Sequence, residues 1–535
     1  MVSAADPRAA EAGIAMLRQG GSATDAALAV MLALNVVEPQ SSGIGGGGFL
    51  LHGDARGQVE TIDGREFAPA AADGQWFLKG GKPAPFASFV PGGRSVGVPG
   101  ALALAAQAHR RYGKLAWAAL FRPAIRLARD GFLITPRLNT QLARAQRTGA
   151  FDAEARALYY GRNGAPLPVG TRVRNPALAA LLARIAREGP GAFYAGANAR
   201  ALVARVNTAP TEPAPLSQAD LAAYAAPLRE PLCGIYRRWR ICGMGPPSSG
   251  ATTVFAILKQ LERFDLAALG PDSPVAWHLI AESMRLAYAD RDRWIGDPGF
   301  VAVPATGLMD PSYLAARSAL IDPARSLALV RPGTPPGAQG LARADTAPTE
   351  EHGTTHFVAV DRWGTAVSYT NTIEGPFGSG LMVNGYFLNN ELTDFNFAPE
   401  DGGRPAANAV GPRKRPRSSM APTLVYDEAG HLRLAVGAAG GATIPAQVAK
   451  AIIGVLDWHL SARAAIALPV LFAPGDTVFV EKGSAHEALI PALRALGHVD
   501  VQVRESSFKA NAIEATPTGL VGAADPRSEG AAVTP

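Results

Sequence analysis

With two cysteines in 535 residues the chain is no disulfide scaffold, and with no C-x-x-C pair it offers no thiolate zinc site. The nine histidines are dispersed, and none stands in H-E-x-x-H. His352 and His356 are four apart, but their segment does not read as helical, so no metal and no cofactor is expected. An α/β-hydrolase reading is set aside for want of a serine elbow. Long hydrophobic runs are missing as well. The longest, "AALAVMLALNVV" at 26–37, falls short of the roughly 20 residues of a membrane span. It reads as a core helix, and no membrane span is expected. Acidic excess is also absent: the formal charge is +6 and the pI near 9.4. The arginines are scattered, with one short basic run, "PRKRPR" at 412–417, so no nucleic acid is expected as partner. The start carries no signal-peptide pattern. Either the protein is intracellular, or an export segment has been trimmed or missed.

What is present is a globular composition, 48% hydrophobic and 18% charged. Residues 1–37 read as two helices broken at Gly20-Gly21, with Asp6 and Ser22 as caps. The next segment, "GIGGGGFLLHG", contains G-x-G-x-x-G at Gly43, Gly45 and Gly48, but a helix precedes it and a strand follows. A dinucleotide fingerprint needs the opposite order. The glycines therefore read as backbone passing close to something. Residues 95–325 are mostly helical by periodicity. Residues 328–353, rich in Pro, Gly, Ala and Thr, form the best linker candidate. After them the pattern turns to strands, in "THFVAV", "AVSYTNT", "LMVNGYFLNN", "TLVYDEAGHLRLAVGAAGG" and "DTVFVEKG", with a helix in "TIPAQVAKAIIGVLDWHL". Sheets covered by helix layers are expected.

Cys233 and Cys242 lie in "CGIYRRWRIC". If Arg237 and Arg238 form a two-residue turn, the cysteines face each other and a disulfide is possible. Arg-Arg is a poor turn pair, and two buried thiols remain the equal alternative.

The chemistry lies in "EHGTTHFVAVDRWGTAVSYTNT", residues 351–372. Threonine becomes a nucleophile when its own α-amine acts as base, which requires it to be N-terminal. Thr354 is internal, so the chain would have to be cut at Gly353–Thr354. If Val360 pairs with Ala366 across the "DRWG" turn, Thr354 falls opposite Thr372, with Cβ atoms about 5 Å apart. The plain alternative is that threonine favours strands.

These motifs, with "GYFLNNELTDF", "KRPRSSMAPT", "GAAGG", "GAADPRSEGAA", "VEPQSSGIGGGGFLL", "DGREFAP" and "GPPSSG", resemble the γ-glutamyltransferase family over essentially the whole chain. The resemblance implies an α+β fold, the four-layer αββα N-terminal-nucleophile hydrolase. It implies a precursor that cuts itself into a large subunit, 1–353, and a small catalytic subunit, 354–535, which stay together as one intertwined heterodimer. It makes Thr354 the nucleophile and Thr372 its hydrogen-bond partner. Gly440 and Gly441 would form the oxyanion hole. Arg65, assisted by Ser418 and Ser419, would hold the donor's α-carboxylate, and Asp394, with Glu391 nearby, its ammonium. The partners are then a small γ-glutamyl donor and an amine acceptor or water. Relatives of this kind are usually exported, which points to the periplasm or exterior, with the cytoplasm as alternative.

Two departures bear on the substrate. Glu374 stands where many glutathione-handling members have asparagine. The stretch from Asp394 to "NAVGP" is short and lacks a tyrosine, so an open pocket for bulkier donors is expected. Two rival readings remain. One is a cephalosporin-type acylase that cleaves glutaryl amides on the same scaffold. The other is an uncut, non-enzymatic binding protein.

Overall fold

The computed structural model describes residues 1–345, 353–505 and 508–535. Of the expected linker, 328–345 holds no helix or strand; 346–352, with His352, lies outside the described residues.

The chain opens with strand β1 (Val2–Ala4), which the sequence reading did not anticipate. Helix α1 (Pro7–Arg18) follows, capped by Asp6 with Pro7 in its first turn. Helix α2 (Ala23–Val37) begins with a reciprocal capping box between Ser22 and Asp25. All of α2 is buried, which explains its apolar run. Then come β2 (Gly47–Gly53) and β3 (Val59–Gly64). The helical region that follows also carries β4 (Leu228–Arg229), the hairpin β5 (Leu232–Tyr236) and β6 (Trp239–Gly243), and helices α3 (Gly250–Leu261) and α4 (Pro274–Trp294). After residue 353 come β7 (Thr355–Val360), β8 (Ala366–Thr372), β9 (Thr423–Tyr426), β10 (Leu432–Ala439), helix α5 (Ile444–Leu456), β11 (Lys509–Thr516), β12 (Gly519–Ala524) and β13 (Ala531–Val533).

Two sheets result. One runs β13-β1-β7-β8-β2-β3-β4, the other β12-β11-β10-β9-β6-β5. The first is woven from both ends of the chain, because β7 and β8 sit between β1 and β2. Alternation assigns the faces of β7. Phe357 and Ala359 join the core beneath α1 and α2. Val358 and Val360 join the core shared with the second sheet and with α3, α4 and α5. The order is helix, sheet, sheet, helix. This is the α+β architecture that the sequence predicts.

Two expected strand regions stay outside the main sheets. "LMVNGYFLNN" closes on itself as the ribbon Met382–Val383 and Tyr386–Phe387, turning on Asn384 and Gly385, both at positive φ. "DTVFVEKG" joins a separate three-stranded sheet. Cys233 and Cys242 face each other across the β5–β6 hairpin, and their sulfurs are joined. Arg237 takes the positive φ that the tight turn requires.

The two sheets approach closely at Gly437 of β10. A Cβ there would lie 2.3 Å from Cε1 of His356. His356 is fully buried, with Nδ1 2.8 Å from Thr370 Oγ1, and burial lowers its pKa to about 3, so the ring is neutral. Gly437→Ala should therefore cost about 1–3 kcal/mol through overpacking. A thermal melt checks this: a lower midpoint is expected, and an unchanged one would show that the ring yields freely.

Candidate active site

The hairpin register carries Val360↔Ala366 down to Thr355↔Asn371. The next rung sets Thr354 opposite Thr372, with Oγ1 atoms 3.4 Å apart and both side chains buried. These threonines, His356 and Thr370 share the face of the first sheet that meets the second. Thr354 Oγ1 also touches the carbonyl oxygen of Gly353, and Thr372 Oγ1 lies 3.5 Å from that same oxygen. The backbone N–H of Glu374 donates to Thr372 Oγ1 at 2.7 Å. The nucleophile candidate thus sits against the peptide that would be cut, with a second hydroxyl on the same carbonyl.

"GIGGGG" explains why the backbone fits here. A Cβ on Gly46 would lie 1.9 Å from the carbonyl oxygen of Thr372, so only glycine allows the loop before β2 to pass. Gly440 and Gly441 follow the last residue of β10, and both take positive φ, 130° and 58°. They make no hydrogen bond to the threonine pair among the described residues.

A charged cluster lies beside the hairpin. Arg65 follows β3 and is 1% exposed. Its Nε donates to the Pro416 carbonyl at 3.1 Å, and one terminal nitrogen donates to the Arg417 carbonyl at 2.6 Å and to Asp394 Oδ2 at 2.5 Å. The other terminal nitrogen is paired with Glu391. Glu391 and Asp394 come from one 3₁₀ turn, Glu391–Asp394. Asn390, just before it, donates to the Glu374 carboxylate and accepts from the Gly375 N–H, which ties this turn to the threonine end of the hairpin. Ser418 and Ser419 follow the Arg417 carbonyl. Ser418 Oγ accepts the Met420 N–H at 3.1 Å, and Ser419 Oγ accepts from buried Arg291.

The family resemblance implies that this arginine and these acids line one subsite, each holding a different charge of the donor. In the fold the fork is closed and already filled by two carboxylates. A buried guanidinium stays charged and collects the nearest counter-ions. The short stretch after Asp394 forms a small exposed hairpin, Glu400–Asp401 with Arg404–Pro405.

Comparison with known proteins settles the relationship. The sequence model of the gamma-glutamyltranspeptidase family matches residues 9–534. The chain belongs to the γ-glutamyltranspeptidase family. It is 37% identical over 511 residues to a glutathione hydrolase proenzyme of Bacillus subtilis (strain 168), covering 93% of this chain and 84% of that protein. It is 35% identical over 542 residues to the acylase ACY 1 proenzyme of Pseudomonas sp. (strain SE83), covering 100% of this chain and 93% of that protein. Among solved structures, the cephalosporin acylase of Bacillus halodurans superposes with a TM-score of 0.86 at 27% identity, covering 99% of this chain and 94% of the other.

Two further residues at the site were not expected from the sequence. Glu66, beside Arg65, is fully buried, its oxygens find no hydrogen-bond partner among the described residues, and it lies near Glu391. Burial, and then the charge of Glu391, push its carboxyl well above the usual range, with Arg65 opposing. Its signal was an acid placed directly after the arginine of "GREFAP". Asn390 is the other, visible only as part of "LNNEL". One G-x-S-x-G string, Gly93–Gly97, was passed over. Its Ser95 sits in a 3₁₀ turn, with Oγ donating to the Gly92 carbonyl at 2.8 Å, and has no strand-to-helix elbow.

The candidate metal cluster His278, Glu282 and His498 is better read as a histidine pair. His278 Nδ1 lies 2.8 Å from His498 Nε2, too close to admit an ion between them, and Arg285 already pairs with Glu282. The basic run is not a surface patch, since Lys414 and Arg417 are buried. No helix among the described residues is long and apolar enough to cross a membrane.

Proposed function

We propose that this γ-glutamyltranspeptidase is a self-processing γ-glutamyl hydrolase and transferase. The observation that carries the reading is the contact of Thr354 Oγ1 with the Gly353 carbonyl beneath Thr372. Thr354 Oγ1 attacks the Gly353 carbonyl carbon. The C–N bond breaks, its nitrogen takes the hydroxyl proton, and an ester remains. Water hydrolyses the ester, leaving a carboxylate on Gly353 and a free amine on Thr354. That amine then serves as base for the same hydroxyl. In turnover the hydroxyl attacks a γ-glutamyl amide, the leaving amine takes the proton, and water or an amino acid or peptide amine accepts the acyl group. Gly440 and Gly441 offer side-chain-free backbone to the tetrahedral oxygen. The route needs no metal or organic cofactor.

The products, 1–353 and 354–535, remain interlocked as a heterodimer, because β7 and β8 lie between β1 and β2. The donor's ammonium goes to Asp394, Glu391 and Glu374, and its carboxylate to Arg65, assisted by Ser418 and Ser419. The acylase reading is the second choice. It draws on the likeness to the ACY 1 proenzyme and to the cephalosporin acylase. The test is direct: fresh protein should cut itself at Gly353–Thr354 and then release the amine from a γ-glutamyl anilide. Cutting without any γ-glutamyl turnover would favour the acylase.

Export to the periplasm or exterior is supported by the Cys233–Cys242 pair, since disulfides persist in oxidising spaces. Thiol titration of unreduced, denatured protein is expected to find no free thiol. Two free thiols would remove this support.

A further inference from the structure

A buried ion pair behind the hairpin lies next to the neighbours of Thr354, Thr372 and Gly440. Lys509 begins β11, is 2% exposed and is paired in register with Ala439, the residue before Gly440. Its ammonium donates to Glu38 Oε1 at 3.3 Å, to Glu38 Oε2 at 3.1 Å and to Ser41 Oγ at 2.9 Å. Glu38 caps the end of α2 and is 3% exposed. Its Oε2 also accepts Thr355 Oγ1 at 3.2 Å, from the residue directly after Thr354. The Ser41 carbonyl accepts the N–H of Ile373, the residue directly after Thr372. One cluster therefore contacts the neighbour of each threonine and lies across the ladder from the neighbour of the glycine pair.

We infer that Lys509 and Glu38 are positioning residues that hold the nucleophile against the oxyanion backbone. The inference rests on the proposed roles of Thr354, Thr372 and Gly440. After the cut, Glu38 and Ser41 belong to one product and Thr355 and Lys509 to the other. The pair is then a non-covalent brace across the two products, beside the new terminus. A shift of about 1 Å at a reacting group costs on the order of 100-fold in rate, so the brace acts on kcat.

Burial lowers the Lys509 pKa to about 8, with Glu38 partly offsetting it, Arg137 adding to the fall and Asp6 opposing it. Below that pH the ammonium is charged and the brace is intact. As pH rises through it the proton leaves and the brace loosens. Arginine stays charged throughout.

The experiment compares wild type, Lys509→Met, Lys509→Arg and the double variant Glu38→Gln/Lys509→Met, each as full chain. It reads the rate of self-cutting on a gel, kcat and KM for a γ-glutamyl anilide from pH 6 to 10, and the melting midpoint. Lys509→Met should cut more slowly and lose about 100-fold in kcat with KM nearly unchanged. Lys509→Arg should keep kcat and extend activity to higher pH. The double variant removes both charges of the pair and leaves only the half-buried Arg137 without its 3.9 Å contact to Glu38, so its midpoint should recover in part while kcat stays low. If kcat recovers with the midpoint, or if Lys509→Met cuts and turns over like wild type, the brace is only structural and the inference falls. If wild type cuts but ignores the anilide, the γ-glutamyl reading fails, and the cutting rates still decide the brace.

Discussion

Thr354→Ala is expected to remain one 535-residue chain and to lose turnover of a γ-glutamyl anilide by about 10⁴-fold or more. The substitution removes the hydroxyl in direct contact with the Gly353 carbonyl and leaves only that of Thr372, 3.5 Å away. It leaves the backbone register of β7 and β8 in place, because that register is set by the Val360↔Ala366 turn and not by Thr354. Stability should change little, since only a small side chain at the end of the hairpin is shortened. The measurement is a denaturing gel of freshly expressed protein, followed by an anilide assay. Wild type should show two bands with a threonine N-terminus on the smaller. Wild type that stays full length yet turns over the anilide would end the N-terminal amine mechanism. A variant that still cuts would place the nucleophile elsewhere.

The second large effect concerns the donor's charges. Arg65, Glu391 and Asp394 form a triad in which every member is at most 3% exposed, with Glu374 one link away through Asn390. A γ-glutamyl donor brings both an ammonium and a carboxylate. It can enter this ion pair and leave every charge matched: carboxylate to Arg65, ammonium to the acids. A glutaryl donor brings only the carboxylate and would strand buried acids without a counter-ion. Breaking a buried pair costs about 3–5 kcal/mol, or about two to four decades in kcat/KM. Burial and the neighbouring Glu391 push the Glu66 carboxyl well above the usual range, which eases proton uptake by the acidic cluster, so the lower end is expected. The check is one anilide in γ-glutamyl and glutaryl forms, in wild type and in Asp394→Asn. Equal rates for both donors in wild type would favour the acylase. A selective loss of the γ-glutamyl donor in Asp394→Asn would place the ammonium at Asp394.

The γ-glutamyltranspeptidase relatives and the acylase relatives match this chain to a similar extent. The family model nevertheless favours the γ-glutamyl donor, and the comparison of donors tests whether the acids beside Arg65 enforce that choice. This is why the donor comparison carries more than any further likeness between folds.

What was legible in the sequence was local. The Thr354–Thr372 pairing and the Cys233–Cys242 pairing both follow from counting back from a tight turn, because a hairpin's register is set by its own loop. The caps at Asp6 and Ser22 are visible for the same reason: the group that satisfies each orphan N–H lies within three residues. The glycines of "GIGGGG" could be read as a close approach, but not what they approach. The short ribbons were misplaced because alternation marks a strand without naming its sheet.

Only the tertiary structure decided which charges meet. Arg65 finds Glu391 across 326 positions of sequence, and Lys509 finds Glu38 across 471. No periodicity carries such a pairing, since it depends on how two sheets and their helices stack. Once these groups are buried, each charge must have a partner or be neutralised, a carboxylate by gaining a proton and an ammonium by losing one. The fold therefore selects the partners, and with them the closed arginine fork, the raised pKa of Glu66 and the Lys509–Glu38 ion pair.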